Sequence, residues 1–341
     1  MCDDQYFGYD AMGRQDHLTG AHPSEWGWGV YRVQAGYDLA GNQTDLTYPD
    51  GTQVVSGYDG AGRLASVRQG TSQSPGPAYI SSLTYSASGA PTTIAYGNSV
   101  VEHMAQNNRL QPCEINAFMS PVLGGAMFMD RQMLYSQGGE TPCGQASGNN
   151  GNIWHILDNT NIAQGSSQYS QHFGYDPLNR LTGWNTASMP GQAFGYDSFG
   201  NMSPLTNGAP VYSFDATNRL SNLPCASAVT PYDASGNQLC TSDPYGAVDH
   251  FQYDGENRLS KIAVLGNEAN PFVKYTYDAG GTRVRKDKAD GTWTEYASFS
   301  GRLLAEKDQN GSWKNYVYAN GEKVARVGLQ ETVFQISGTS T

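Results

Sequence analysis

The chain has 341 residues, 41 of them Gly and 22 Tyr, with only 15% charged residues and a formal net charge of −11. That acidity argues against nucleic acid or an anionic membrane as the main partner. No apolar run approaches the roughly 18 residues of a membrane span. A turn-dense, tyrosine-rich composition suits an extended sheet better than a compact enzyme core, because tyrosine packs one end and stays wet at the other.

One sentence recurs along the chain: an aromatic residue, Asp, two variable residues, Gly or Asn, then Arg or Asn. The N-terminal section, residues 1–110, carries it as Tyr9-Asp10-x-x-Gly13-Arg14, Tyr37-Asp38-x-x-Gly41-Asn42 and Tyr58-Asp59-x-x-Gly62-Arg63-Leu64. The steps there are wide, at 28 and 21 residues, then 27 to a degenerate copy at Tyr85-Ser86-Ala87-Ser88-Gly89. Gly/Pro/Ser-rich stretches such as 70–77 read as loops between hairpins.

From Asn108-Arg109-Leu110 to about Ser170 the motif lapses, so residues 111–170 read as an irregular section of the same sheet. Met119, Met127, Met129 and Met133 cluster there, with packing the plainer reading and a promiscuous binding surface the sharper one. Regular copies fill residues 171–325. They read Tyr175-Asp176-x-x-Asn179, Tyr196-Asp197-x-x-Gly200, Phe214-Asp215-x-x-Asn218, Tyr232-Asp233-x-x-Gly236, Tyr253-Asp254-x-x-Asn257 and Tyr277-Asp278-x-x-Gly281. From Tyr175 to Tyr277 successive copies lie 21, 18, 18, 21 and 24 residues apart. The copy at Tyr296 keeps the frame and loses the Asp, and residues 326–341 read as a tail.

Asp followed three residues later by Gly or Asn predicts a type I turn capped by its own carboxylate, with a left-handed residue at the end. Such a turn closes a β-hairpin with a one-residue bulge. The count places Tyr58 opposite Leu64 and Tyr253 opposite Leu259. Pairs such as Phe173-x-Tyr175 and Phe251-x-Tyr253 put aromatics on one face at period two. A lone hairpin is marginal, so neighbours must join edge to edge. The expected fold is all-β: repeated hairpins forming one long curved or spiralling sheet. A free strip of this kind has exposed edges and is expected to self-associate.

Recognisable catalytic chemistry is absent from the sequence. The repeat Asp residues already serve turns, and His17, His22, His103, His155, His172 and His250 show no ligand spacing. No nucleophile elbow, phosphate loop or dinucleotide fingerprint occurs, and neither calcium-loop frame is present. The expectation is a non-enzyme without cofactor or metal. Trp26, Trp28, Trp154, Trp184, Trp293 and Trp313 are candidate platforms for carbohydrate, with packing between hairpins the alternative. Of five cysteines, Cys113 with Cys143 and Cys225 with Cys240 have spacings compatible with disulfides, buried thiols being the alternative, and Cys2 is left over.

The iterated motif resembles the YD repeats of the RHS (rearrangement hot spot) family, which includes bacterial polymorphic toxins, the insecticidal Tc toxin C component and teneurins. The resemblance covers residues 9–320. Asn108-Arg109-Leu110-Gln111-Pro112 with Asn149-Asn150-Gly151-Asn152-Ile153 is also similar to a pairing between repeats in bacterial members. The resemblance implies a cocoon-like shell whose partners are the remaining repeats and a C-terminal toxin or effector absent from this chain, outside the cell or on its surface. An interaction module binding glycans or proteins at the cell surface is the other reading. Nothing after Tyr318 resembles the self-cleaving core of the family. Asp243-Pro244-Tyr245-Gly246-Ala247 is superficially similar to it but lies mid-array and reads as a turn. Without an export signal, and starting inside a repeat, the chain is expected to be a piece of something longer.

Overall fold

The structure is a computed structural model, and it describes residues 4–21, 30–120, 125–138, 141, 143–144, 148–160, 169–225, 230–242, 246–328 and 331–336. Trp26, Trp28, His22, Cys2 and the Asp243-Pro244-Tyr245 turn lie outside them. The architecture is all-β: a 17-stranded sheet runs from Asp4–Tyr9 to Ala209–Pro210, and a 10-stranded sheet from Cys240–Ser242 to Thr332–Phe334. Neither closes into a barrel. The pairing is antiparallel between chain neighbours, as in Gln53–Tyr58 with Leu64–Gly70 and Val248–Tyr253 with Leu259–Val264.

Each repeat follows from its turn. Tyr58 stands opposite Leu64 and Tyr253 opposite Leu259, and the register slips by one residue at the step into each tyrosine. The slip is the bulge that a type I turn plus one left-handed residue imposes. Gly13, Gly62, Asn179 and Asn257 supply that residue, with φ of 75°, 74°, 61° and 60°. Two copies keep the turn and lose the ribbon: Phe214 pairs Leu220, and Tyr232 pairs Gln238, each through an isolated bridge. Pro210, Pro224 and Pro231 flank these turns and remove ladder donors, which shortens the strands around them.

The chain divides into two compact units, Met1–Tyr79 with Leu223–Thr341, and Ile80–Asn222. In the first, period-two alternation sets the core. Trp293–Phe299 buries Glu295, Ala297 and Phe299, Trp313–Ala319 buries Asn315, Val317 and Ala319, and Val30–Tyr37 buries Tyr31 and Val33. The N-terminal and C-terminal strands of this unit meet directly. The Tyr48 hydroxyl donates to the Tyr316 carbonyl at 2.8 Å, and Asn315 Nδ2 donates to Asp50 Oδ2 at 2.8 Å. Tyr31 packs edge-on against Trp313 with ring centres 6.0 Å apart.

The second unit buries Leu83, Ile94, Tyr96, Ala117, Leu134 and Tyr135. Met129 and Met133 join that core, whereas Met127 is exposed, so the methionine cluster is largely packing. Both cysteine pairs are disulfides, Cys113–Cys143 in this unit and Cys225–Cys240 in the other.

Candidate functional site

The feature that repeats is the turn and its stitch to the next hairpin. At Asp10, Oδ1 accepts from the backbone N–H of Met12 and of Arg14 at 2.9 Å, while Oδ2 accepts from Arg14 Nε at 2.7 Å. Asp59, Asp176 and Asp254 repeat the arrangement with Arg63, Arg180 and Arg258. Where Asn takes the Arg position, as in Asn42, Asn201 and Asn237, its amide donates to Asp38, Asp197 or Asp233 at 2.8 Å. The carboxylates are therefore held below the ordinary aspartate range. Backbone N–H donation leads at Asp10, Asp59, Asp176 and Asp254, and the Asn amide leads at Asp38, Asp197 and Asp233. At Asp215 the Thr217 hydroxyl leads. Asp278 accepts from the Thr282 N–H at 2.8 Å and from Gln5 Nε2 at 3.3 Å.

The tyrosine of one repeat reaches back to the repeat before it. Tyr37 donates to the Gln15 carbonyl at 2.9 Å, Tyr58 to Gln43 at 2.8 Å, Tyr196 to Leu181 at 2.7 Å, Tyr253 to Gln238 at 2.7 Å and Tyr277 to Leu259 at 2.8 Å. In every case the acceptor directly follows the Arg or Asn of the preceding turn. The phenols are partly desolvated, and burial pushes Tyr37, Tyr253 and Tyr277 above their usual value. The Arg lies over the ring that makes the stitch: Arg14 over Tyr37 at 4.8 Å, Arg180 over Tyr196 at 4.2 Å and Arg258 over Tyr277 at 4.9 Å. Where Asn replaces Arg the coupling changes partner, since Asn201 and Asn237 donate to Asn218 and Asn257 of the next turn at 3.1 and 2.9 Å. One side chain thus ties its own turn and the neighbouring one together. Tyr9 is exposed, and Phe214 has no hydroxyl to make the stitch.

Sequence reasoning missed two repeats inside the lapsed section. Asn107 takes the Asp position, its Oδ1 accepting from the N–H of Arg109 at 2.9 Å and of Gln111 at 3.1 Å, and Leu110 supplies φ 60°. The Tyr135 hydroxyl then donates to the Pro112 carbonyl at 2.7 Å, the same stitch made onto a repeat that lacks both Tyr and Asp. Asn149 caps a second such turn through the Gly151 N–H at 2.9 Å, and Tyr175 donates to the Ile153 carbonyl at 2.8 Å. The two Asn-rich segments singled out above also meet, with Asn149 Nδ2 donating to Gln111 Oε1 at 2.7 Å. A search allowing Asn for Asp would have found both turns. Sequence reasoning also passed over the glycine before many of the tyrosines. A Cβ at Gly8 would sit 1.8 Å from the His17 ring, and one at Gly195 would sit 2.9 Å from Leu205.

Three of the four tryptophans among the described residues take packing positions. Trp154 meets Tyr175 edge-on, Trp293 lies under Arg285, and Trp313 contacts Tyr31 and Lys307; none of these three, nor Trp184, is fully exposed. A cavity of about 220 Å³ in the first unit is lined by Tyr37, Asp45, Tyr48, Phe299, Arg302 and Tyr318, among others. In the same unit Arg285 and Glu295 form a buried ion pair at 2.8 Å. Among the described residues no group of three His, Cys, Asp or Glu side chains could hold a metal ion. No helix among them is long and apolar enough to cross a membrane.

No family model and no curated protein matches the chain. Solved structures do match its fold. The crystal structure of TcdB2-TccC3-Cdc42 superposes with a TM-score of 0.70 at 16% identity, over 96% of this chain and 18% of that one. TcdB2-TccC3 gives 0.64 at 15% identity over 95% and 18%. The Photorhabdus luminescens Tc holotoxin pore gives 0.66 at 14% identity over 96% and 19%. The chain therefore spans about a fifth of the length of these structures, and what it shares with them is an all-β fold of long antiparallel sheets.

Proposed function

We propose that this chain is a stretch of wall in an RHS, YD-repeat protein, and that its task is to enclose or present a C-terminal effector polypeptide together with further repeats. The observation that carries the reading is the stitch from Tyr hydroxyl to preceding-repeat carbonyl, which recurs at Tyr37, Tyr58, Tyr196, Tyr253 and Tyr277. A residue set committed to joining one hairpin to the next builds a surface and leaves the Asp and Tyr groups no substrate to act on. The fold shared with TcdB2-TccC3 supports the same reading. The wall would work outside the producing cell and without catalysis of its own.

The test is co-expression of this chain with the polypeptide encoded immediately downstream of it, followed by limited proteolysis. Protection of the downstream polypeptide, lost when Tyr253 and Tyr277 are both replaced by Phe, is the expected result. Equal digestion of that polypeptide with and without the chain would refute the enclosing role.

A further inference from the structure

We propose that His155 and His172 form a two-imidazole site for a divalent late first-row metal ion, Cu²⁺ or Zn²⁺, that clamps strand His155–Asp158 to strand Gln171–Tyr175. The two residues are directly opposite in the antiparallel register. Their Nδ1 atoms lie 2.6 Å apart and the rings meet edge-on with centres 4.7 Å apart. One imidazole therefore donates and the other accepts, and both Nδ1 atoms already point at one spot. Metal–nitrogen bonds of about 2.0–2.1 Å in a cis or tetrahedral arrangement put the two nitrogens roughly 3 Å apart. Replacing the shared proton by a metal ion asks the rings to part by less than about 1 Å, a side-chain adjustment that leaves the ladder alone.

The surroundings suit an open site. The register continues the row across the sheet, with Leu134 opposite His155 and Asn185 opposite His172. Leu134 is buried and closes one end of the row, while His172 and Asn185 are exposed at the other. His172 and Asn185 line a groove of about 450 Å³, which leaves room for water to complete the coordination. Imidazole is a ligand that late first-row ions favour. The two histidines are 17 residues apart, so no spacing rule finds them; only the pairing of the strands does. The clamp would act where it matters mechanically, because this ladder registers at just two positions, His155 with His172 and Ile156 with Gln171.

The experiment uses the full chain in a Cys2→Ser background, so that the fifth thiol neither binds nor reduces the probe. Titration with CuCl₂ by calorimetry, with pulsed EPR of the copper complex, reads affinity and the number of bound imidazoles. The expected result is one high-affinity equivalent carrying two imidazoles. Affinity should fall at least tenfold in His155→Ala and in His172→Ala, and stay within twofold in His103→Ala. His155→Gln and His172→Gln keep size and polarity and replace the Ala variants if those fail to fold by circular dichroism. A wild-type spectrum with one imidazole or none overturns the proposal, as does affinity within twofold of wild type in the His155 and His172 variants.

Discussion

The two units of this chain reach stability by different routes. The unit of Met1–Tyr79 with Leu223–Thr341 is held by contacts across very long sequence separations, such as Tyr48 with Tyr316 and Asp50 with Asn315. The unit Ile80–Asn222 relies on hairpins close in sequence, on the Cys113–Cys143 bridge and on turns in which Asn107 and Asn149 stand in for Asp. The difference teaches that the stitch is a property of backbone geometry. It survives loss of the Tyr-Asp pair provided some side-chain oxygen caps the turn and some later tyrosine reaches the carbonyl.

The comparison breaks most sharply at Tyr48, which is 1% exposed. Tyr48→Ala should cost about 3–5 kcal/mol, the usual range for truncating a buried aromatic. Denaturant unfolding followed by fluorescence should show an early transition, with hydrogen exchange placing it in the first unit and leaving Ile80–Asn222 protected. Loss of protection in both units at once would mean that they are not energetically separate. In the second unit, Cys113→Ser with Cys143→Ser opens a 30-residue span and should cost about 2–4 kcal/mol through the freed unfolded chain. Thermal unfolding of the variant against oxidised wild type measures it.

Single turns are worth less. Asp176→Ala removes the acceptor for the Leu178 and Arg180 N–H groups and for Arg180 Nε, and should lower the unfolding midpoint by less than opening the disulfide does. The same carboxylates set the acid limit. Their folded-state pKa values lie below the ordinary value while the unfolded chain has the ordinary one, so the stability they add is complete above that value and is lost as pH falls through the folded values. Unfolding midpoints should therefore be level near neutrality and drop below about pH 4. Asp130 runs the other way, because burial first and then Glu114 and Asp158 raise its pKa, so its protonation on acidification offsets part of the loss. Circular dichroism across pH 2–7 tests the sign, and replacing Asp10, Asp59, Asp176 and Asp254 by Asn should flatten the curve.

The smallest effects sharpen the comparison. Tyr277→Phe removes one stitch and should cost about 1 kcal/mol. Leu110 is an exposed β-turn residue at φ 60°, a strained conformation for a side chain of its size, so Leu110→Gly should gain up to about 1 kcal/mol. A loss at Leu110→Gly would mean that its side chain does packing work that its exposure hides.

Much of this molecule was legible in the residue order. Asp10-x-x-Gly13 and its copies announce a turn because the carboxylate, the N–H groups it accepts from and the left-handed residue all lie within five positions. The opposition of Tyr58 to Leu64 followed from counting across that turn. Local chemistry of this kind needs no knowledge of the rest of the chain. What the tertiary structure alone decided is everything that joins one turn to another. That includes which carbonyl each tyrosine reaches, the exchange between Arg over a ring and Asn to the next turn, the meeting of Tyr48 with Tyr316, and the placing of His155 directly opposite His172. Those contacts depend on how far the chain travels between hairpins and on the register in which strands dock. Loops of different length and turns with substituted caps can lead to the same docking, so neither quantity is written in any one segment.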